Sequence, residues 1–168
     1  SWSRGLGDVY KRQGKTNYNA HPHISEKGNI ILVHNGIINN FDILKLKLVN
    51  YGINFNSETD SEVIANLIEY YLLYMSNNIE DAIKNTLNEL EGTWGLAIIY
   101  TKELDTYYVT RKGSPLLLGY SSNYIVVSSE TNGFIGLVND YIPLQDNAIV
   151  KIVNNDYNFL DESNSLST

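Results

Sequence analysis

Four apolar residues in a row, Ile30, Ile31, Leu32 and Val33, end at His34-Asn35-Gly36. So short a run closed by a turn signal suits a buried strand. Behind it, Asn39 or Asn40 can cap a helix reaching about Tyr51, with Gly52 as its stop. The apolar residues of that helix, Ile43, Leu44, Leu46 and Leu48, do not share one narrow stripe, which predicts a helix lying between layers. Thr59-Asp60-Ser61-Glu62 then has the form of a capping box: the Thr hydroxyl accepts from the third amide and Glu62 reaches back. Val63, Ile64, Leu67, Ile68, Tyr71 and Leu72 recur at helical spacing after it, and Ile79, Ala82, Ile83, Leu87 and Leu90 repeat the pattern in a third helix. After Gly92 the period shortens, and residues 93–100, 106–110, 116–120, 124–128 and 148–153 read as strands. Helices grouped first and strands afterwards point to an α+β fold, a helical layer over antiparallel sheet. From residue 154 to 168 Asn, Asp and Ser accumulate and periodicity fades, as in a linker or frayed end.

Composition narrows the class. A chain of 168 residues, 43% hydrophobic and 18% charged, is long enough for one domain with a core of its own. The net charge of -7 and pI near 4.8 disfavour nucleic acid and anionic membrane surfaces as partners. No apolar stretch approaches the ~20 residues that span a bilayer, and the N-terminus lacks a signal-peptide core, so a cytoplasmic location is expected. With no cysteine there is no disulfide to consider.

The candidate chemistry lies at the end of the first strand and at the mouth of the second helix. Asn35-Gly36 offers a side-chain amide donor beside a backbone N–H that no Cβ crowds, a pairing suited to a developing oxyanion. Asp60, at a helix start, has the charge to hold a substrate ammonium. Each feature also has a plain structural reading: Asn-Gly is common in turns, and an acidic residue is favoured at a helix N-terminus. His21, His23 and His34 fall close together, and His-x-His is a spacing that zinc sites use. A metal-dependent hydrolase or metal-binding module, with Asp60 or Glu62 as a further ligand, is therefore an alternative; Pro22 between the two rings argues for a bend instead.

Read at length, Leu32-Val33-His34-Asn35-Gly36-Ile37-Ile38-Asn39-Asn40 and Ser57-Glu58-Thr59-Asp60-Ser61-Glu62-Val63-Ile64-Ala65 resemble the glutaminase domain of the glutamine–fructose-6-phosphate aminotransferase (isomerising) family. Asn19-Ala20-His21-Pro22-His23, Leu90-Glu91-Gly92-Thr93-Trp94-Gly95 and Arg111-Lys112-Gly113-Ser114-Pro115-Leu116 extend the resemblance in the family's order over residues 14–153. It implies an N-terminal-nucleophile (Ntn) hydrolase-like αββα sandwich, incomplete here at its N-terminus. It also implies that glutamine is hydrolysed to glutamate and ammonia, with Asn35 and Gly36 forming the oxyanion hole and Gly36, Asp60 and His21 contacting L-glutamine. The ammonia would go to fructose 6-phosphate on a sugar-phosphate isomerase domain of the same polypeptide, in a homo-oligomer, with no metal and no organic cofactor. Residues 111–115 are expected to do structural work.

The departures are as telling. The family's nucleophile is an N-terminal Cys, and this chain has none. Ser1 is the one substitute, yet Trp2-Ser3-Arg4-Gly5-Leu6-Gly7 does not match the strand that follows the nucleophile, and neither Arg4 nor Arg12 matches the Arg that would hold the substrate carboxylate. Residues 1–13 read as foreign sequence of the kind a cloning or adaptor scar leaves, 14–153 as a partial glutaminase domain, and 154–168 as the start of an interdomain linker or tail. The chain as it stands is expected to be inactive. A non-catalytic glutamine-binding module is the alternative function that this leaves open.

Overall fold

The computed structural model of the chain describes residues 21–160, and the expectations for residues 1–13 and 161–168 lie outside them. Strand β1 (His23–Ile24) opens a six-stranded antiparallel sheet in the order β1, β2 (Ile30–Asn35), β3 (Trp94–Tyr100), β4 (Thr106–Lys112), β8 (Ile149–Val153) and β9 (Asp156–Phe159). A second sheet of three strands runs β6 (Ile125–Ser128), β5 (Leu117–Tyr120), β7 (Asp140–Pro143). The apolar run becomes β2 as its pattern predicts. Its alternation buries Ile30, Leu32 and His34 on one face and leaves Ile31, Val33 and Asn35 half-buried on the other, so Asn35 and His34 point to opposite sides of the sheet.

Helices α1 (Phe41–Asn50), α2 (Asp60–Tyr74) and α3 (Ile79–Glu89) cover the first face. Leu48 of α1, Ile64, Leu67 and Ile68 of α2 and Ile83 of α3 close over Ile30, Leu32, Leu96 and Ile98 of the sheet. Each such side chain removed from water contributes about 1.5–3 kcal/mol. On the opposite face Val109, Val150 and Ile152 pack against Leu116, Leu118 and Leu144, which seats the small sheet over β4 and β8. The described residues thus form helix, sheet and sheet in that order, the α+β arrangement expected.

Three details differ from expectation, and a fourth was not foreseen. Among the described residues α1 is not sandwiched between layers: Leu44 and Leu48 are buried, whereas Ile43 is 72% and Leu46 62% exposed. Its scattered apolar residues mark two faces, one of them uncovered. Asn40 sits at the N-cap of α1 without capping it; its amide donates to Glu89 O at 2.8 Å and accepts from the Glu91 N–H at 3.0 Å, tying the start of α1 to the end of α3. A linker does not begin at residue 154. Asn154 takes a left-handed conformation (φ 53), turning the chain into β9, whose Tyr157 and Phe159 pack on the second core. Two inward residues in a four-residue strand are too few to show as periodicity. Finally, buried Glu69 of α2 accepts from Ser25 Oγ (2.8 Å), Asn29 Nδ2 (2.9 Å) and the N–H groups of Lys27 and Asn29 (both 3.1 Å), which clamps the turn between β1 and β2 onto the helix.

Candidate active site

Asn35 ends β2 opposite Gly95 of β3. One step further, the Thr93 N–H donates to Ile37 O at 2.9 Å and the Ile37 N–H to Thr93 Oγ1 at 3.2 Å. Bonded positions alternate along an antiparallel ladder, so the Gly36 N–H between them points away from β3. Among the described residues neither that N–H nor the Asn35 side-chain amide has a hydrogen-bond partner. Gly36 has φ 131, and a Cβ there would run into the Thr93 carbonyl, whose carbon would lie 2.7 Å from it. Only glycine lets the two chains approach this closely.

The start of α2 lies against the loop that follows β2. Thr59 caps it as the sequence predicts, its hydroxyl accepting from the Glu62 N–H at 3.3 Å. Glu62 reaches back past the cap residue: its carboxylate accepts from the Asn56 N–H (2.8 Å), the Ser57 N–H (2.6 Å) and the Ser57 hydroxyl. The loop before the helix is thereby fixed, and Asp60 with it. Asp60, 8% exposed, accepts from the Ile38 N–H through Oδ2 at 2.9 Å, while Oδ1 lies 3.7 Å from His34 Nδ1. Burial pushes the carboxyl pKa up, but His34 and the N–H groups of Ile38 and Ser61 more than offset it, and the net shift is downward. Asp60 is therefore an anion poised against a partly satisfied cluster. His34 is buried, with Nδ1 3.2 Å from Ser61 Oγ and Nε2 3.3 Å from Thr93 O, so it links the helix start to β3.

His21 and His23 stack edge to face, ring centroids 4.9 Å apart at 85°. The His23 ring lies 3.3 Å from Thr59 Oγ1, and His21 Nδ1 is buried with no partner among the described residues. Burial, with the neighbouring His21, pulls the His23 pKa down to about 4; burial and His34 lower that of His21. The sign of the linkage follows. The unfolded imidazole takes up its proton near pH 6.5 and folded His23 not until about 4, so the unfolded state binds more protons between those values. Stability should accordingly fall as pH drops through that window, read as a lower urea midpoint at pH 5 than at pH 7. His23→Gln should flatten the decline; an unchanged slope would show that His23 is not buried neutral. Among the described residues no group of three or more His, Asp or Glu side chains is placed to hold a metal ion, so the metal-site alternative gains no support.

Of the residues expected at the site, Asn35 and Gly36 fall at the end of β2, Asp60 is bonded to the same loop, and His21 lies within electrostatic reach of Asp60 and His34. Sequence reasoning gave no role to Thr93 or Ser61, and His34 entered it only as a potential ligand. The sole signal for Thr93 was its place beside Gly92 in a short motif.

The sequence profile of the glutamine amidotransferase domain matches residues 12–135. The chain belongs to the glutamine amidotransferase family. It is 41% identical over 157 residues to the glutamine–fructose-6-phosphate aminotransferase (isomerizing) of Thermococcus kodakarensis, covering 92% of this chain and 26% of that protein. The enzyme of the same name from Chlorobaculum tepidum is 35% identical over 140 residues, covering 83% and 23%. The chain thus spans about a quarter of the length of these curated relatives. Among solved structures, the glutamine phosphoribosylpyrophosphate amidotransferase from B. subtilis superposes with a TM-score of 0.73 at 26% identity, over 87% of this chain and 32% of that one. The amidotransferase domain has the α+β fold of the Ntn-hydrolase-type amidotransferases.

Proposed function

We propose that this domain is the glutaminase part of a glucosamine-6-phosphate-forming aminotransferase. It hydrolyses the side-chain amide of L-glutamine and passes the ammonia to fructose 6-phosphate on a sugar-phosphate isomerase domain of a longer, homo-oligomeric, cytoplasmic polypeptide. The observation that carries this reading is the end of β2, where two N–H donors, Asn35 Nδ2 and Gly36 N, have no partner among the described residues beside a loop bonded to the Asp60 carboxylate. The kinship to enzymes of that name supports it.

On this reading a Cys thiolate outside these 168 residues attacks the amide carbon, and the carbonyl electrons move onto oxygen. Asn35 and Gly36 hold the oxyanion, one such donor being worth about 10² to 10³ in kcat. Collapse expels ammonia, and water cleaves the thioester to glutamate. Asp60 holds the α-ammonium, His21 borders the same pocket with an Nδ1 that has no partner among the described residues, and the reaction needs no metal or organic cofactor. By itself the chain carries no such thiol and is expected to release no ammonia.

The absence of cysteine from these residues favours one second reading, a glutamine-binding module without turnover. Both readings require binding. Millimolar L-glutamine should shift the amide resonances of Gly36 and Ile38 in the labelled chain, and Asp60→Ala should remove the effect. No shift, or equal shifts with D-glutamine, would sink both; ammonia release by the full gene product separates them.

A further inference from the structure

The loop that carries the candidate oxyanion donor is gripped from two sides. Toward β3, the Ile37 N–H is held by Thr93 Oγ1, and Ile38 forms a bridge with Gly92, where a Cβ would collide with Ile37 O. Toward the helices, the Ile38 N–H donates to Asp60 Oδ2 at 2.9 Å, a buried contact at a residue with no exposed surface. Three consecutive N–H groups therefore divide their work: Ile37 and Ile38 are anchored, and Gly36 is left toward the site. The two oxygens of Asp60 differ likewise: Oδ2 is bonded to the loop and Oδ1 lies 3.7 Å from His34 Nδ1, with the Ser61 N–H also acting on the carboxylate.

Resting on the function proposed above, we propose that Asp60 is a positioning residue for the Gly36 donor as well as the contact for the substrate ammonium, so that one carboxylate couples the two ends of the glutamine site. A buried N–H deprived of its acceptor must find another or move. Movement of residue 38 is transmitted to Gly36 two residues away, where a donor is effective only within a narrow distance of the oxyanion. A carboxylate that merely bound the ammonium would alter affinity and leave the turnover step intact.

Two substitutions separate the roles, assayed for glutamine hydrolysis in the full gene product. Asp60→Asn keeps an oxygen for the Ile38 N–H and loses the charge; Asp60→Ala loses both. Both should raise KM for L-glutamine at least tenfold, and Asp60→Ala should in addition have a kcat about tenfold below that of Asp60→Asn. Equal kcat values in the two variants would overturn the positioning role. Asn35→Ala in the same assay tests the underlying reading: if it leaves kcat unchanged, the oxyanion assignment fails, whereas a normal Asn35 effect with equal Asp60 variants removes the positioning role alone. Should Asp60→Ala not fold, hydrogen exchange of the Ile38 amide in Asp60→Asn decides. Exchange within about threefold of the parent supports the retained bond, and a larger acceleration overturns it.

Discussion

Gly36→Ala is expected to cost the domain at least about 3 kcal/mol of unfolding free energy, a large part of the roughly 5–15 kcal/mol typical of a domain. Two effects add. A non-glycine residue at φ 131 carries backbone strain of about 1–3 kcal/mol. The new methyl also meets the carbonyl of Thr93, with the carbonyl carbon 2.7 Å away, and neither partner is free to retreat. Thr93 is tied to Ile37 through both its N–H and its hydroxyl, and its oxygen faces His34 Nε2 at 3.3 Å. Gly52→Ala is the internal control. Gly52 also has positive φ (86), yet nothing lies within 4 Å of its Cβ position, so only the left-handed penalty of about 1–2 kcal/mol applies. Urea unfolding of both variants at pH 7 measures the difference. Equal losses would mean that the close approach of β2 to Thr93 is not a constraint on the fold.

What could be read in advance was chemistry that is local in sequence. The Thr59 cap needs only Glu62 three residues on, and α2 and α3 follow from apolar repeats that one helix face buries. Most strands after Gly92 were legible for the same reason. The six-residue β2 declared itself by composition, whereas β7, exposed at three of its four positions, has no apolar signature to declare. The candidate site was half legible: its residue types stood out, but the pairing that leaves their donors without a partner among the described residues did not. The Gly36 N–H has no partner among the described residues because residues 37 and 93 pair, a contact between positions far apart in the chain, and the alternation of the ladder then turns the intervening N–H outward. No local pattern contains that fact. The buried carboxylate of Glu69 was invisible for a related reason. Its acceptor bonds go to a turn on another strand, and in the sequence it reads as one more polar residue on a helix.

Asn35→Ala is expected to lower kcat for glutamine hydrolysis by about 10² to 10³ with KM nearly unchanged, in a form of the protein that carries the N-terminal nucleophile. The size follows from what the amide does on the proposed reading: it donates to an oxygen that becomes fully anionic only in the transition state, so its loss spares the bound substrate. The structure adds a reason to expect clean kinetics. Asn35 is half-buried, and its amide makes no hydrogen bond to any described residue, so removing it breaks no hydrogen bond among the described residues. The unfolding free energy should change by no more than about 0.5 kcal/mol, as for a substitution away from any stabilising contact. Gly36→Ala, by contrast, mixes folding and function and cannot isolate the donor. A kcat within threefold of the parent would remove Asn35 from the oxyanion hole. A KM that rose in step with the loss would move it from the transition state to the bound substrate, and the Gly36 N–H would then stand as the single donor at the end of β2.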